Sequence, residues 1–303
     1  MRIILSTLGL LAAAPALADP LQVVVDMPVT GSLVQQVMGE GAQVQVLLPQ
    51  GASAHHHQMR PSDAHGLQNA GLLVWTGPEL TPWLDRSAAS LAGEAEQLRL
   101  LDVPGTQLRS YDGDHDHDHS HDHDHDHDHG GTDPHAWLDP ANARLWLTTI
   151  AEVLGKADPD NAALYARNAK ASVQRIAAMD ADLQARLAPY KDASLVVFHD
   201  AYGYFTDHYG LRPAIAVSLG DASMPSAGRL AAIREEIATT NATCAFPEYA
   251  SDPKLVQTAI EGTGVRMGKE LSPEGGATAA GSDLYIDLMT GLADTIVSCL
   301  SER

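Results

Sequence analysis

DPDNAALYARNAKASVQRIAAMDADLQARL, residues 158–187, reads as one long helix at the middle of the chain. Tyr165, Ala169, Val173, Ile176, Leu183 and Leu187 recur at spacings of three, four or seven, which lays one apolar stripe along a helix. Asp158 is placed to cap that helix, Pro159 suits its first turn, and Pro189 stops it. At 1.5 Å per residue, about 29 residues make a rod roughly 40 Å long, enough to cross from one lobe to another.

Outward from this helix, short β-rich runs alternate with helical patterns on both sides. Before it, strands are expected at Leu21–Val25, Gln43–Leu48, Leu72–Trp75 and Leu98–Val103, with helices at Gly31–Met38 and from Asp63, capped by Ser62. After it, strands are expected at Ser194–Phe198, Ala214–Val217, Cys244–Pro247 and Val265–Gly268. Helices are expected there at Ser226–Thr239, Asp252–Glu261 and Asp283–Leu300. Such alternation implies α/β architecture: two doubly wound, mostly parallel sheets, each in its own lobe, joined by the long helix. The expected division is a leader at 1–18, a first lobe at 19–157, the linking helix at 158–188 and a second lobe at 189–303.

The leader reads MRIILSTLGLLAAAPALADP: a basic Arg2, an apolar run from Ile3 to Ala14, and Ala16-Leu17-Ala18 as a small-x-small cleavage pattern. That is a secretory signal peptide, with cleavage near Ala18. The run is too short to span a bilayer, no other stretch reaches about 18 apolar residues, and no Cys stands at the cleavage point to carry a lipid. The mature chain is therefore expected to be exported and soluble. Cys244 and Cys299 are the two cysteines. In an oxidising compartment they form either a disulfide or a pair of buried thiols, and no C-x-x-C pattern suggests a thiolate metal site.

Thirty-nine Asp+Glu against 19 Lys+Arg give a formal net charge of −20. Nucleic acid and anionic membranes need a basic surface, so neither is expected as a partner. Eight of those negative charges lie between Asp112 and His129, a stretch that also holds His115, His117, His119, His121, His123, His125, His127 and His129. With nothing apolar to bury, the segment 112–130 is expected to be a disordered, solvated loop. Its alternating carboxylates and imidazoles make it an accessory zinc-gathering loop, or a plain acidic loop with incidental metal affinity.

Among the remaining histidines, three stand in contexts that suit ligands. His55 follows the strand QVQVLLPQ by a short loop, and His199 ends the strand SLVVFHD. Both fall beyond the C-terminal ends of parallel strands, where open α/β sheets bind ligands. His135 lies in DPHAWLDP, a Pro-bracketed turn entering a helix. Three imidazoles suit Zn²⁺ in tetrahedral geometry, whereas manganese favours more carboxylate. The competing reading is one functional histidine and two satisfied by local hydrogen bonds. His56 and His57 are expected to point away from the site, His65 to lie on a helix surface, and His208 to complement a helix dipole. Asp200 is expected to cap a helix.

GASAHHHQMRPSD, LQNAGLLVWTGPELTPWL, DPHAWLDP, VVFHDAYGYFTDHYGL and CAFPEYASDPKLVQTAIEGTGVRMG occur in this order between about Leu21 and Leu300. Together they resemble the blocks of the ZnuA-type zinc-binding proteins of ABC importers, one of the cluster A-I metal-binding solute-binding proteins. The resemblance implies two α/β lobes on a rigid backbone helix, metal in the cleft, and a His/Asp-rich loop where the tract occurs. It matches His55, His135 and His199 to the ligands and places Cys244 and Cys299 where the zinc-specific branch carries a disulfide. Two departures stand out. Residue 54 is Ala where the family often has Pro or Glu, and Leu271-Ser272-Pro273-Glu274-Gly275 puts Ser272 where related proteins supply a ligand Asp. The fourth position is left to water, Glu270 or Glu274.

The expected function is therefore a periplasmic solute-binding protein, a monomer, that captures Zn²⁺ as cargo. It would deliver the ion to an ABC importer's membrane permease and ATPase, with a periplasmic zinc chaperone as a further candidate partner. The alternatives are a manganese or iron carrier of the same fold and an exported zinc hydrolase. The hydrolase would need a base beside a metal-bound water; Glu248 and Glu274 are candidates, but no H-E-x-x-H motif supports them. Binding through histidine should weaken in acid, falling steeply below about pH 6.

Overall fold

The computed structural model describes residues 21–39, 41–111 and 131–302. The leader and the Asp/His tract, including His115 to His129, lie outside the described residues.

The first half of the chain runs β1 (Val23–Val25), α1 (Pro28–Met38), β2 (Val44–Val46), α2 (Pro61–Gln68), β3 (Leu72–Trp75), α3 (Pro82–Leu91) and β4 (Glu96–Arg99). A two-residue hairpin, β5 (Arg109–Ser110) and β6 (Thr132–Asp133), flanks the tract, and α4 (Pro140–Ala157) follows. The four long-range strands form a parallel sheet in the order β2-β1-β3-β4. Its inner strands, VVV and LLVW, are buried along their whole length, as expected where helices cover both faces of a parallel sheet. The edge strand β4 is the polar EQLR. It begins two residues before the apolar run expected at 98–103, because an edge strand has no second neighbour to bury against.

Next comes α5 (Ala162–Leu187), preceded by a 3-10 turn at Pro159–Asn161. Its 26 residues span roughly 40 Å. The buried stripe is Tyr165, Ala169, Ser172, Ile176, Met179, Leu183 and Leu187, so Ser172 takes the buried place expected for Val173, which is half-buried beside it, and Met179 fills the gap between Ile176 and Leu183. Asp158 holds the N-cap position of the 3-10 turn, and Asn161 that of α5. The Asp158 carboxylate accepts from Asn161 Nδ2 (2.8 Å) and the Tyr165 hydroxyl (2.6 Å), which fixes the turn from α4 into α5.

The second half runs β7 (Leu195–His199), α6 (Gly203–Tyr209), β8 (Ile215–Ser218), α7 (Ala227–Thr240), β9 (Cys244–Phe246), α8 (Lys254–Ile260), β10 (Arg266–Met267) and α9 (Leu284–Ser301). Its sheet is also parallel, ordered β10-β9-β7-β8. Helix α5 packs against α4 and α1 of the first half and α9 of the second, so one apolar core runs through both halves. Helix α9 is long and apolar enough to cross a membrane by length and composition. Here Leu284, Leu288, Leu292 and Ile296 bury its inner face, and Cys299 bonds to Cys244 at the start of β9 (S–S 2.04 Å). Closing that 55-residue loop stabilises the fold by about 4 kcal/mol in the chain-entropy account.

Two local starts differ from the sequence expectation. Helix α2 begins at Pro61 with Arg60 before it, and the Asp63 carboxylate, not Ser62, takes the Arg60 N–H (2.8 Å). Helix α6 has Tyr202 at its N-cap, so Asp200 does not fill that position.

Candidate metal centre

Three backbone devices bring three distant histidines together. The loop after β2 carries His55. It is pinned at Ala54 from two sides: Trp83 Nε1 donates to the Ala54 carbonyl (2.7 Å), and the Ala54 N–H donates to Glu274 Oε2 (3.1 Å). The small, fully buried Ala54 side chain fits this two-sided clamp. His135 follows β6 and opens the turn Ala136–Leu138. Asp133 Oδ1 accepts the His135 backbone N–H (3.0 Å) and also lies 2.8 Å from its Nδ1. Trp137 locks this turn to the second half by donating to the Pro273 carbonyl (2.8 Å). His199 is the last residue of β7, with its Nδ1 2.5 Å from Glu248 Oε2. Glu248, two residues beyond β9, also accepts from the Tyr202 hydroxyl (3.2 Å).

The potential ligand atoms of His55, His135 and His199 all lie within 4.8 Å of one another. The Nε2 atoms of His135 and His199 are 3.3 Å apart. Zinc–nitrogen bonds of 2.0–2.1 Å in a tetrahedron put nitrogens about 3.4 Å apart, so that edge is already at coordination spacing. Any contraction, at most about 1.4 Å, falls to His55. His55 Nε2 is buried without a hydrogen-bond partner among the described residues, an unsatisfied lone pair that a metal ion could take up.

The electrostatics separate the three rings. Burial, with His135 and His199 beside it, pushes His55 down to about 2. Burial and His199 likewise hold His135 well below the ordinary histidine value. Burial would lower His199 too, but the Glu248 carboxylate outweighs it and raises this ring above its usual value. A consistent proton arrangement follows. His135 gives its Nδ1–H to Asp133, and His199 gives Nδ1–H to Glu248 and Nε2–H to the lone pair on His135 Nε2. A metal ion held between the two Nε2 atoms would have to displace that one shared proton. Carboxylates behind ligand histidines orient the rings and raise their basicity.

Of the two acidic candidates for a fourth ligand, Glu270 is exposed. Glu274 is 17% exposed, and its Oε1 lies 3.9 Å from His55 Nε2. Burial and the nearby Glu248 raise Glu274 to about 7, against the pull of His199 and the Ala54 N–H. Ser272, where related proteins carry Asp, accepts the Ala277 N–H instead (3.1 Å).

The other histidines sort as follows. His56 is exposed at the cleft mouth. His57 packs edge-on against Trp83, with centroids 4.9 Å apart. His65 is exposed beside Asn69. His208 does more than complement a helix end: its two ring nitrogens meet Asp139 Oδ1 (2.9 Å) and Asp180 Oδ1 (2.7 Å). Sequence reasoning missed Asp133 and considered Glu248 only as a hydrolytic base. The signal was present, since Glu248 sits past a parallel strand end, as His55 and His199 do. Its carboxylate is engaged by the back of His199 and by Tyr202 rather than free to activate a water.

A profile of the family described as zinc-uptake complex component A, periplasmic, matches residues 23–299. The chain is 54% identical to the high-affinity zinc uptake system protein ZnuA of Paracoccus denitrificans, over 95% of this chain and 94% of that protein. It is 37% identical to the protein of the same name from Brucella suis, over 92% of each. Among solved structures, the periplasmic zinc binding protein TroA from Treponema pallidum shares the fold with a TM-score of 0.78 at 22% identity. That match covers 92% of this chain and 98% of TroA.

Proposed function

Because this chain belongs to the family of periplasmic zinc-uptake components, we propose that it captures Zn²⁺ between its two sheets and delivers the ion to an ABC importer's permease and ATPase. It is a solute-binding protein of the periplasm and not an enzyme. The observation that carries the site is the trio of His55, His135 and His199, whose ligand atoms converge from three separate parts of the fold. His55 and His135 come from the first half and His199 from the second, so a small shift between the halves breaks the shell and frees the cargo.

Glu274 completes the shell in this reading. Its Oε2 is held by the Ala54 N–H, while Oε1 is the atom beside His55. The alternating Asp/His tract acts as an accessory, weaker zinc collector, and the leader is cleaved near Ala18 to release a monomer spanning 19–157, 158–188 and 189–303. A periplasmic zinc chaperone is a further partner consistent with that collector.

Calorimetric zinc titration of the mature protein tests the reading, beside a deletion of Asp114–His129 and the His135→Ala and Glu274→Gln variants. The deletion should remove weak sites and keep one tight site. His135→Ala should remove the tight site, and Glu274→Gln should weaken it roughly ten-fold or more. A tight site that survives His135→Ala would sink the assignment. Competition with Mn²⁺ on the tract-deleted protein should leave zinc in the cleft.

A further inference from the structure

The hairpin β5–β6 is the stem from which the tract emerges, and it is fastened to the opposite half of the molecule. Arg109 and Asp133 face each other in its register. The Tyr204 hydroxyl, on α6 of the second half, accepts the Arg109 N–H (2.8 Å) and donates to the Asp133 carbonyl (2.9 Å). One phenol thus clasps both strands of the stem with its single proton and its lone pair. Arg109 Nε adds a contact to Asp207 Oδ2 (3.3 Å).

Two glycines of the second half receive the stem's side chains. A Cβ at Gly203 would run into the Arg109 guanidinium, and one at Gly220 would run into the Tyr111 ring. So seated, Tyr111 brings its hydroxyl to 3.5 Å from His135 Nδ1. Asp133, whose carbonyl the phenol of Tyr204 holds, is the residue whose carboxylate holds His135.

We propose that Tyr204 is a positioning residue: by strapping the β5–β6 stem across the cleft it fixes Asp133 and His135 against His199, and so sets how fast the cleft releases its zinc ion. The strap reaches His135 along a continuous path: α6, Tyr204 hydroxyl, Asp133, His135. Tyr111 on Gly220 is its second fastening. The inference rests on the reading of the three histidines as the zinc site.

The test is stopped-flow zinc release from the mature, full-length protein into excess chromophoric chelator, following the slow phase. Tyr204→Phe should accelerate that phase on the order of ten-fold, the lower end for a residue behind a metal ligand. Gly220→Ala, which unseats Tyr111, should accelerate it in the same direction and serves if Tyr204→Phe folds poorly. An Asp133→Asn background, which keeps all three histidines, should show little further acceleration from Tyr204→Phe, because the strap reaches His135 through that carboxylate. A purely structural tyrosine would lower the melting temperature of the metal-free protein and leave the slow phase unchanged. That result, or an undiminished acceleration in the Asp133→Asn background, would overturn the proposal. If His135→Ala itself left the slow phase intact, the metal-site reading would fail and this inference with it.

Discussion

The two parallel sheets reverse direction at corresponding places and use them differently. In the first, the chain winds from β1 to β2 on one side and through β3 to β4 on the other. The crevice between β1 and β3 holds Asp26, fully buried, whose carboxylate accepts the Met27 N–H (2.8 Å) and the Thr76 N–H (2.7 Å). In the second, the reversal lies between β7 and β9, and its crevice holds His199 and Glu248. Such crevices are where open α/β sheets bind ligands. The first is plugged, because its carboxylate is saturated by the protein's own backbone donors. The second is the crevice of the proposed site: its carboxylate turns to a histidine and a phenol, and the histidine's other nitrogen faces His135. Topology offers the position, and the partner of one acidic residue decides whether it becomes a plug or a site.

A crossed pair of variants is the strongest way to break this comparison. His199→Ala should abolish the tight zinc site, a loss of about a thousand-fold or more, with the metal-free fold retained by circular dichroism. Asp26→Ala should leave zinc affinity within about two-fold but cost about 3 kcal/mol in urea unfolding, since two buried N–H groups lose their acceptor. Loss of zinc binding in Asp26→Ala beyond that explained by unfolding would mean that the first crevice is not merely a plug.

Glu248→Gln sharpens the contrast at the second crevice. It keeps shape and removes charge, so zinc affinity should fall roughly 10- to 100-fold by calorimetry. It should also lower the His199 pKa, read by the imidazole carbon-proton chemical shift in the metal-free protein.

The pH dependence of binding is a smaller effect with a definite sign. His55 and His135 are pushed below the histidine range and stay neutral, whereas His199 is held above it. On the proposed ligand set, zinc would compete among the three rings mainly with the proton on His199. Affinity should decline as pH falls, beginning above pH 6.5 with a slope near one proton per pH unit, and approach a slope of two where the raised Glu274 is protonated as well, from about 7 downward. The three-histidine sequence suggested a steep fall below pH 6, and burial is what removes two of those protons from the balance. Titrations between pH 5.5 and 8 showing a slope of three or more would contradict the assigned proton arrangement.

The smallest expected effect belongs to the joint between the halves. His208 lies between Asp139 and Asp180, with Arg144 3.8 Å from the latter. Burial lowers it, but the two carboxylates prevail and raise its pKa. A group raised on folding stabilises below its unfolded value of about 6.5 and loses that contribution as pH rises through the folded value. His208→Gln should thus cost about 1 kcal/mol at pH 6 and less at pH 9, the part-exposed site limiting the magnitude. An equal cost at both pH values would show that shape, not charge, matters there.

Much of the fold was legible because periodicity and punctuation are local. The stripe on α5 and the buried runs LVVFH and LLVW announce themselves in their own residues. The hairpin β5–β6 was invisible because two-residue strands carry no period, and α3 because PWLDRSAASL mixes small and polar residues around a thin apolar stripe. Within the site, His55 and His199 were readable from their places after strands. The direction in which Asp133, Glu248 and Tyr204 point was not, since each acts on a partner at least one element away or across a turn.

The α/β class, the long helix and the three histidines apart from the acidic tract are written in local sequence, as is the lack of a carboxylate at residue 272. That those histidines meet, and that Asp133 stands behind His135 and Glu248 behind His199, comes from the tertiary structure. The reason is physical. Helices and strands follow from interactions within a few residues, whereas ligand spacing and ring protonation depend on burial and charge supplied by segments as distant as Glu274 is from Ala54.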